Sequence, residues 1–140
     1  MNPGMNGCGV CGFTLWHPIA QLSKADAGLY DDGRFPGRLM LSAHNHHDHL
    51  DQMPADELAG FMTDVQRASR VLRSLDGVRR VNVAVLGNRE THVHAHLIPR
   101  RPGESNAKSA PWDGADPRIL LAPATRVELI NRLRELLIVQ

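Results

Sequence analysis

No apolar run in this sequence approaches the roughly 18 residues needed to span a bilayer, so a membrane-spanning helix is not expected. Residues 1–12 lack a basic start followed by a long apolar core, and no export signal is expected there. Long polar tracts and internal repeats are missing, which sets aside disordered and solenoid architectures. Neither sign of charge dominates. With 16 Lys and Arg against 15 Asp and Glu, the balance makes no case for a nucleic-acid or membrane partner. Cysteine is scarce too: two residues, both in Cys8-Gly9-Val10-Cys11. Without an export signal such a pair reads as a metal or redox element, not a structural disulfide, and a reduced cytoplasmic setting is the expectation. A chain of 140 residues has room for one core, so residues 1–140 are read as one domain.

Histidine is what the sequence holds in excess. Of eight, seven fall in two clusters, His44 to His49 and His92 to His96. Imidazoles are costly to bury without partners, and their titration near neutrality suits ligation and proton transfer. Composition alone therefore points to a site.

Along the chain, residues 1–12 read as an irregular lead-in, and 13–27 carry no clear pattern. Turn signals at Asp31-Asp32-Gly33 and Phe35-Pro36-Gly37 precede a strand over 38–42, which suggests a hairpin. Leu58, Phe61, Met62, Val65, Ala68, Leu72 and Leu75 recur at three- and four-residue steps and predict one long helix over 54–75. Pro54 suits its first turn, and Gly77 its end. Val81, Val83 and Val85 alternate with Asn82 and Ala84 as a strand, and 91–98 forms the next, stopped by Pro99, Pro102 and Gly103. A loop then leads to a capping box at Thr125 to Glu128 and a closing helix with Val127, Ile130, Leu133 and Leu137 on its apolar face. Residues 103–140 are thus a tail ending in a helix. The sum is α+β with a mainly antiparallel sheet. Arg67, Arg70 and Arg73 read as a solvated helix face, and Arg100-Arg101 as surface.

The strongest chemical signal is His92-Val93-His94-Ala95-His96-Leu97-Ile98-Pro99. On a strand, its three histidines point to one face and Val93, Ala95 and Leu97 to the other. Three imidazoles so spaced cannot all carry charge, which favours a neutral nucleophile flanked by a donor and an orienter.

This pattern, preceded by a strand and the long helix, resembles the histidine-triad family of nucleotide hydrolases and transferases. The resemblance implies a five-stranded sheet that often joins a partner's to make a homodimer. It also implies in-line attack on an α-phosphorus through a covalent nucleotidyl-histidine, with nucleoside phosphoramidates or dinucleoside polyphosphates as substrates. The middle histidine, His94, matches the nucleophile, and His96 the donor toward the phosphate and leaving group. His92 completes the catalytic set. Asn88, four residues before His92, and Asn82 are the candidates for holding substrate. Asp31 and Asp32 are considered for the ribose without a secure match. The connection Gly87-Asn88-Arg89-Glu90 is several residues shorter than the Gly-rich one of ordinary members, so the chain looks like a distinct branch whose substrate need not be an adenine nucleotide.

The cysteine pair on its own is compatible with a redox site, a zinc site or two reduced core thiols. Some bacterial triad proteins resemble this chain in using an N-terminal CxxC, a histidine after the second strand and the first triad histidine as four zinc ligands. That resemblance implies one structural zinc held by Cys8, Cys11, His46 and His92, and no organic cofactor. His46 is placed by the spacing to Leu50 and Met53; His47 and His49 are near enough for a shift of register to exchange them.

Two other readings remain. One is a zinc-stabilised nucleotide-binding or regulatory protein without catalysis. The other takes His44-Asn45-His46-His47-Asp48-His49 as the HxHxDH loop of a dinuclear zinc hydrolase, but that duplicated fold needs about 200 residues or more, beyond a domain of this size.

Overall fold

The computed structural model describes residues 7–114 and 116–139; of the lead-in expected over 1–12, residues 1–6 lie outside the described residues. The chain runs β1 (His17–Gln21), β2 (Ala25–Leu29), β3 (Leu39–Ala43), a single 3-10 turn at Leu50–Gln52, α1 (Ala55–Arg73), β4 (Arg80–Ala84), β5 (His94–Arg100) and α2 (Pro123–Val139). All strand pairs are antiparallel, in the order β1-β2-β3-β5-β4. This is the α+β architecture expected: five strands, one long helix and a C-terminal helix. Among the described residues no helix is long and apolar enough to cross a membrane.

Register decides what the sheet can do. On one face the pairs Ala27–Leu41–Ala95 and Leu29–Leu39–Leu97 lie side by side, all buried. Against them pack Phe61, Val65, Ala68 and Leu72 of α1 and Leu133 and Leu137 of α2. Each large side chain so buried contributes about 1.5–3 kcal/mol of transfer free energy. The opposite face carries the rows Asp26–Ser42–His94 and Gly28–Met40–His96–Ala84, followed by Ile98–Asn82 and Arg100–Arg80. Both helices lie on the first face, so the second is left to the N-terminal segment and to the loop after β5. Leu15 packs so tightly over Gly28 that a Cβ there would meet Leu15 Cβ at 3.0 Å.

Several expectations need correction. The unassigned stretch 13–27 holds β1 and the start of β2, a hairpin whose turn is tied to α1: buried Asp64 accepts the backbone N–H groups of Ser23 and Lys24. The triad strand begins at His94, not Thr91, because Val93 is stitched to the 43–47 segment: its N–H donates to the His47 carbonyl and its carbonyl accepts from the Ala43 N–H. Pro99 does not stop the strand. The β3 ladder ends at the Leu39–Leu97 pair, so the missing proline N–H falls where β5 has no neighbour on that side.

The capping box at Thr125 is not used. The helix starts at Pro123, whose fixed φ suits a first turn, and the Ala122 carbonyl already accepts from Arg126. Val127 and Met62 are exposed, at 54% and 41%, leaving narrower apolar stripes than the spacing implied. At α1, Pro54 takes the N-cap position and Ser74 the C-cap, three residues before Gly77. Arg67 is not simply solvated, since its Nη2 donates to the Leu137 carbonyl at 3.0 Å near the end of α2. Arg100 is buried at 4% exposure, reaching Glu104, Asn82 and the carbonyls of Asn106 and Ser109. A lone guanidinium is costly inside, but this one has a carboxylate and three further acceptors.

Candidate active site

His94 opens β5, directly across from Ser42. Its Nδ1 lies 2.7 Å from the His92 carbonyl. A carbonyl only accepts, so Nδ1 bears the hydrogen and the lone pair of the neutral ring is on Nε2. The ring lines a cleft of about 340 Å³ together with Phe13, Tyr30, Met40, Asn88 and His96. Two larger cavities, of 470 and 630 Å³, lie away from the triad; the 340 Å³ cleft is the candidate because His94 and His96 line it.

His96, two residues on, has its ring centroid 5.2 Å from that of His94 and its edge toward Tyr30. Its Nδ1 lies 3.0 Å from Arg38 Nη2. Burial, then the Arg38 guanidinium and His94, push its pKa down to about 4, so it is neutral across the physiological range.

His92 has a different task. Its Nε2 sits 2.9 Å from the Ala43 carbonyl, with Ser42 Oγ at 3.2 Å, so Nε2 carries the hydrogen and Nδ1 presents a lone pair. Burial lowers its pKa, and the neighbouring His46, His94 and His47 lower it further against the pull of the Ala43 carbonyl. His46 is turned the same way: its Nε2 donates to Asp48 Oδ1 at 3.0 Å, and Thr91 Oγ1 holds that carboxylate from behind. Two imidazole lone pairs thus face each other, Nδ1 to Nδ1, at 3.3 Å.

Cys8 Sγ is 3.8 Å from His46 Nδ1, and Cys11 Sγ 3.7 Å from His92 Nδ1. Burial raises the Cys8 thiol, but N–H donors from Cys11 and Val10 bring it below its ordinary value, whereas burial leaves Cys11 raised. All four ligand atoms lie within 4.8 Å of one another. A tetrahedral zinc with bonds of about 2.0–2.3 Å spaces nitrogen from nitrogen by about 3.3 Å and nitrogen from sulfur by about 3.6 Å. The observed separations fit that ion. Facing lone pairs with a carboxylate behind one histidine and a carbonyl behind the other are what a cation between them would require. Cys8, Cys11, His46 and His92 are therefore positioned to bind a metal.

The register left open in the loop is settled by partners. His47 turns to Glu57, His44 to buried Asp26, and His49 is exposed, so only His46 joins the cysteines. Those side chains go to four different surroundings, and this is the only close group of candidate ligands among the described residues. Asn88 lines the cleft. Asn82 is four strand residues along from the level of His94 and engaged by Arg100. Asp31 and Asp32 are buried in structural contacts, Asp31 with the Leu121 N–H, His17 and Arg126, Asp32 with Arg34 and Arg38.

Three contacts escaped the sequence reading. Phe13 stacks on His92 and His94 at 5.2 and 5.0 Å between centroids, so the segment after the cysteines covers one side of the triad. Asp48 orients His46, and Arg38 holds His96. The alternate residues Arg38, Met40 and Ser42, leading into and along β3, were a usable signal only with the β3–β5 register in hand.

A five-stranded antiparallel sheet with two histidines in a cleft and a four-ligand cluster beside them defines a histidine-triad architecture. The chain belongs to the HIT domain family, whose sequence profile matches residues 19–103. It is 37% identical over 75 residues to an uncharacterized HIT-like protein of Methanocaldococcus jannaschii, a match spanning 51% of this chain and 58% of that protein, little more than half its length. Among solved structures it superposes on a histidine triad protein from Bradyrhizobium japonicum with a TM-score of 0.78 at 24% identity, covering 86% and 89% of the two chains. A zinc-bound histidine triad family protein from Mycobacterium smegmatis gives 0.64 at 22% identity over 86% and 83%. The Plasmodium falciparum diadenosine triphosphate hydrolase gives 0.64 at 14% over 85% and 74%.

Proposed function

We propose that this chain is a nucleotide hydrolase or nucleotidyl transferase that works through a covalent nucleotidyl-histidine on His94. The observation that carries this reading is the 2.7 Å contact from His94 Nδ1 to the His92 carbonyl, which leaves the Nε2 lone pair free in the cleft. Nε2 attacks the α-phosphorus in line, the bond to the leaving group breaks, and the leaving group departs with a proton taken from solvent. The substituted ring is then cationic, and the carbonyl on Nδ1–H stabilises that charge. Water attacks the same phosphorus, the P–N bond breaks, and a nucleoside monophosphate and one proton pass to solvent, returning His94 neutral.

His96 is the donor beside it, and Asn88, which lines the same cleft, is the polar side chain to serve the phosphate. Nucleoside phosphoramidates and dinucleoside polyphosphates are the substrate classes, in keeping with the hydrolase among the structural neighbours. Zinc, one per chain, has a structural role: when bound it ties the N-terminal segment to the loop after β3 and to His92. The protein is read as one domain over 1–140, cytoplasmic and homodimeric. Val83, Val85 and Leu86, exposed along the β4 edge, support association through that edge.

The test is release of nucleoside monophosphate from a panel of both substrate classes, together with acid-labile trapping of α-³²P label on the protein. Wild type is expected to turn over and trap label, and His94→Ala to do neither while remaining folded. Wild-type rates in His94→Ala would sink the reading. Nucleotide binding with no trapped species would favour the non-catalytic binding protein instead.

A further inference from the structure

His94 and His96 are held in opposite tautomers, and the group that sets the second one is Arg38. A guanidinium has donors only, so the 3.0 Å contact from Arg38 Nη2 makes His96 Nδ1 an acceptor. A neutral ring accepting there carries its hydrogen on Nε2. That atom has no hydrogen-bond partner among the described residues, and the ring lines the cleft beside His94. One lone pair and one N–H are thus presented from rings 5.2 Å apart.

Arg38 is itself restrained on further sides. Its Nη1 donates to Asp32 Oδ2 at 3.0 Å, and Asp32 is wholly buried with Arg34 on its other flank. Its guanidinium carbon lies 4.1 Å from the centroid of the Tyr30 ring. A planar fork clamped by a carboxylate and an aromatic face cannot swing away without giving up its bond to Asp32 Oδ2 and its stack on Tyr30, leaving that buried carboxylate to Arg34 alone. The titratable and charged groups facing His96 are Arg38 just before β3, Tyr30 just after β2, His94 on its own strand, and Arg89 and Glu90 on the loop that walls the cleft.

We propose that Arg38, clamped between Asp32 and Tyr30, is a positioning residue that keeps His96 neutral and aimed as an Nε2–H donor toward the oxygen of the phosphorus attacked by His94. This deepens the function proposed above and rests on it. The guanidinium does not touch substrate. It acts through the imidazole, and its fixed charge discourages a second proton on that ring, so His96 donates a hydrogen bond and never serves as the base.

The test is ¹⁵N NMR of the histidine side chains in full-length, metal-loaded protein between pH 5.5 and 8, for wild type and Arg38→Met. In the wild type His96 is expected to show a neutral Nε2–H pattern throughout. In Arg38→Met a cationic fraction of His96 is expected to appear at the pH 5.5 end of the range, and kcat falls about tenfold or more as the donor loses its aim. A wild-type His96 that carries its hydrogen on Nδ1, or is cationic at pH 5.5, overturns the proposal. So does an Arg38→Met spectrum in which neither the shifts nor the titration move. If that variant does not fold, Arg38→Lys is read in its place: a displaced His96 Nδ1 resonance supports the contact, and an unmoved one overturns it. The spectra are taken on resting protein, so they decide the role of Arg38 whether or not His94→Ala abolishes turnover.

Discussion

Asp26 offers a quantitative test of how the sheet face is built. It lies in the same row as Ser42 and His94, wholly buried, and neither of its oxygens has a hydrogen-bond partner. Only His44 Nε2, at 3.4 Å, answers its charge. Burial pushes the carboxyl from its ordinary 3.8 up to about 6, with His44 offsetting part of the rise. The folded state therefore binds this proton more tightly than the unfolded one. Its contribution to stability is complete below about pH 3.8 and is lost as pH rises through about 6. A shift of this size corresponds to about 3 kcal/mol in all, of which about 2 kcal/mol falls between pH 4 and 7.

In Asp26→Asn there is no proton to lose. Its unfolding free energy relative to wild type is expected to rise by about 2 kcal/mol from pH 4 to pH 7, whatever the amide costs at any single pH. Urea unfolding of both proteins at each pH, at fixed ionic strength and metal, measures this directly. The histidines other than His44 and the metal cluster titrate in both and cancel in the difference; His44 faces Asp26, and its response is part of the pair being measured. A difference flat to within about 0.5 kcal/mol would show that the carboxylate is solvated in the folded protein, and the account of this row would be refuted.

Two further outcomes follow from the geometry. Elemental analysis should find one zinc per chain in the wild type and a loss of that ion in Cys11→Ser after mild chelation; two ions, or an unchanged content in the variant, would contradict the four-ligand site. Arg100→Met leaves Glu104 and the acceptors of Asn82, Asn106 and Ser109 without their donor, and should cost about 3–5 kcal/mol in denaturant unfolding. Exposed Arg70→Met is the control and should stay within about 0.5 kcal/mol of wild type.

Patterns carried by neighbours in the chain were readable in advance. The three- and four-residue steps from Leu58 to Leu72 marked α1 to within two residues at either end, because a helix's apolar stripe is a local property. The alternation of His92, His94 and His96 pointed to the candidate site, whereas the Cys8–Cys11 pair alone left redox and zinc readings open and only the family resemblance suggested the four-ligand cluster. Phe13 to Ala27 stayed unread because β1 and β2 are five residues each and nearly all of β2 is buried, so neither shows an alternating face.

What only the tertiary structure decided depends on pairing across long stretches of chain. The choice of His46 over His47 and His49 rests on which ring turns toward Cys8, 38 residues earlier, and which finds Glu57. The late start of β5 rests on Val93 bonding to the 43–47 segment rather than to β4. Arg100, one of two adjacent arginines that read as surface, is buried because the loop after β5 folds back to supply Glu104, Asn106 and Ser109. Arg38 meets His96 across 58 residues because register sets Met40 opposite His96, with Arg38 two residues further along the same face. The sequence by itself determined which chemistry the chain can hold, since residue type and local period determine that; partner, protonation state and burial were decided by register, which a single sequence does not express.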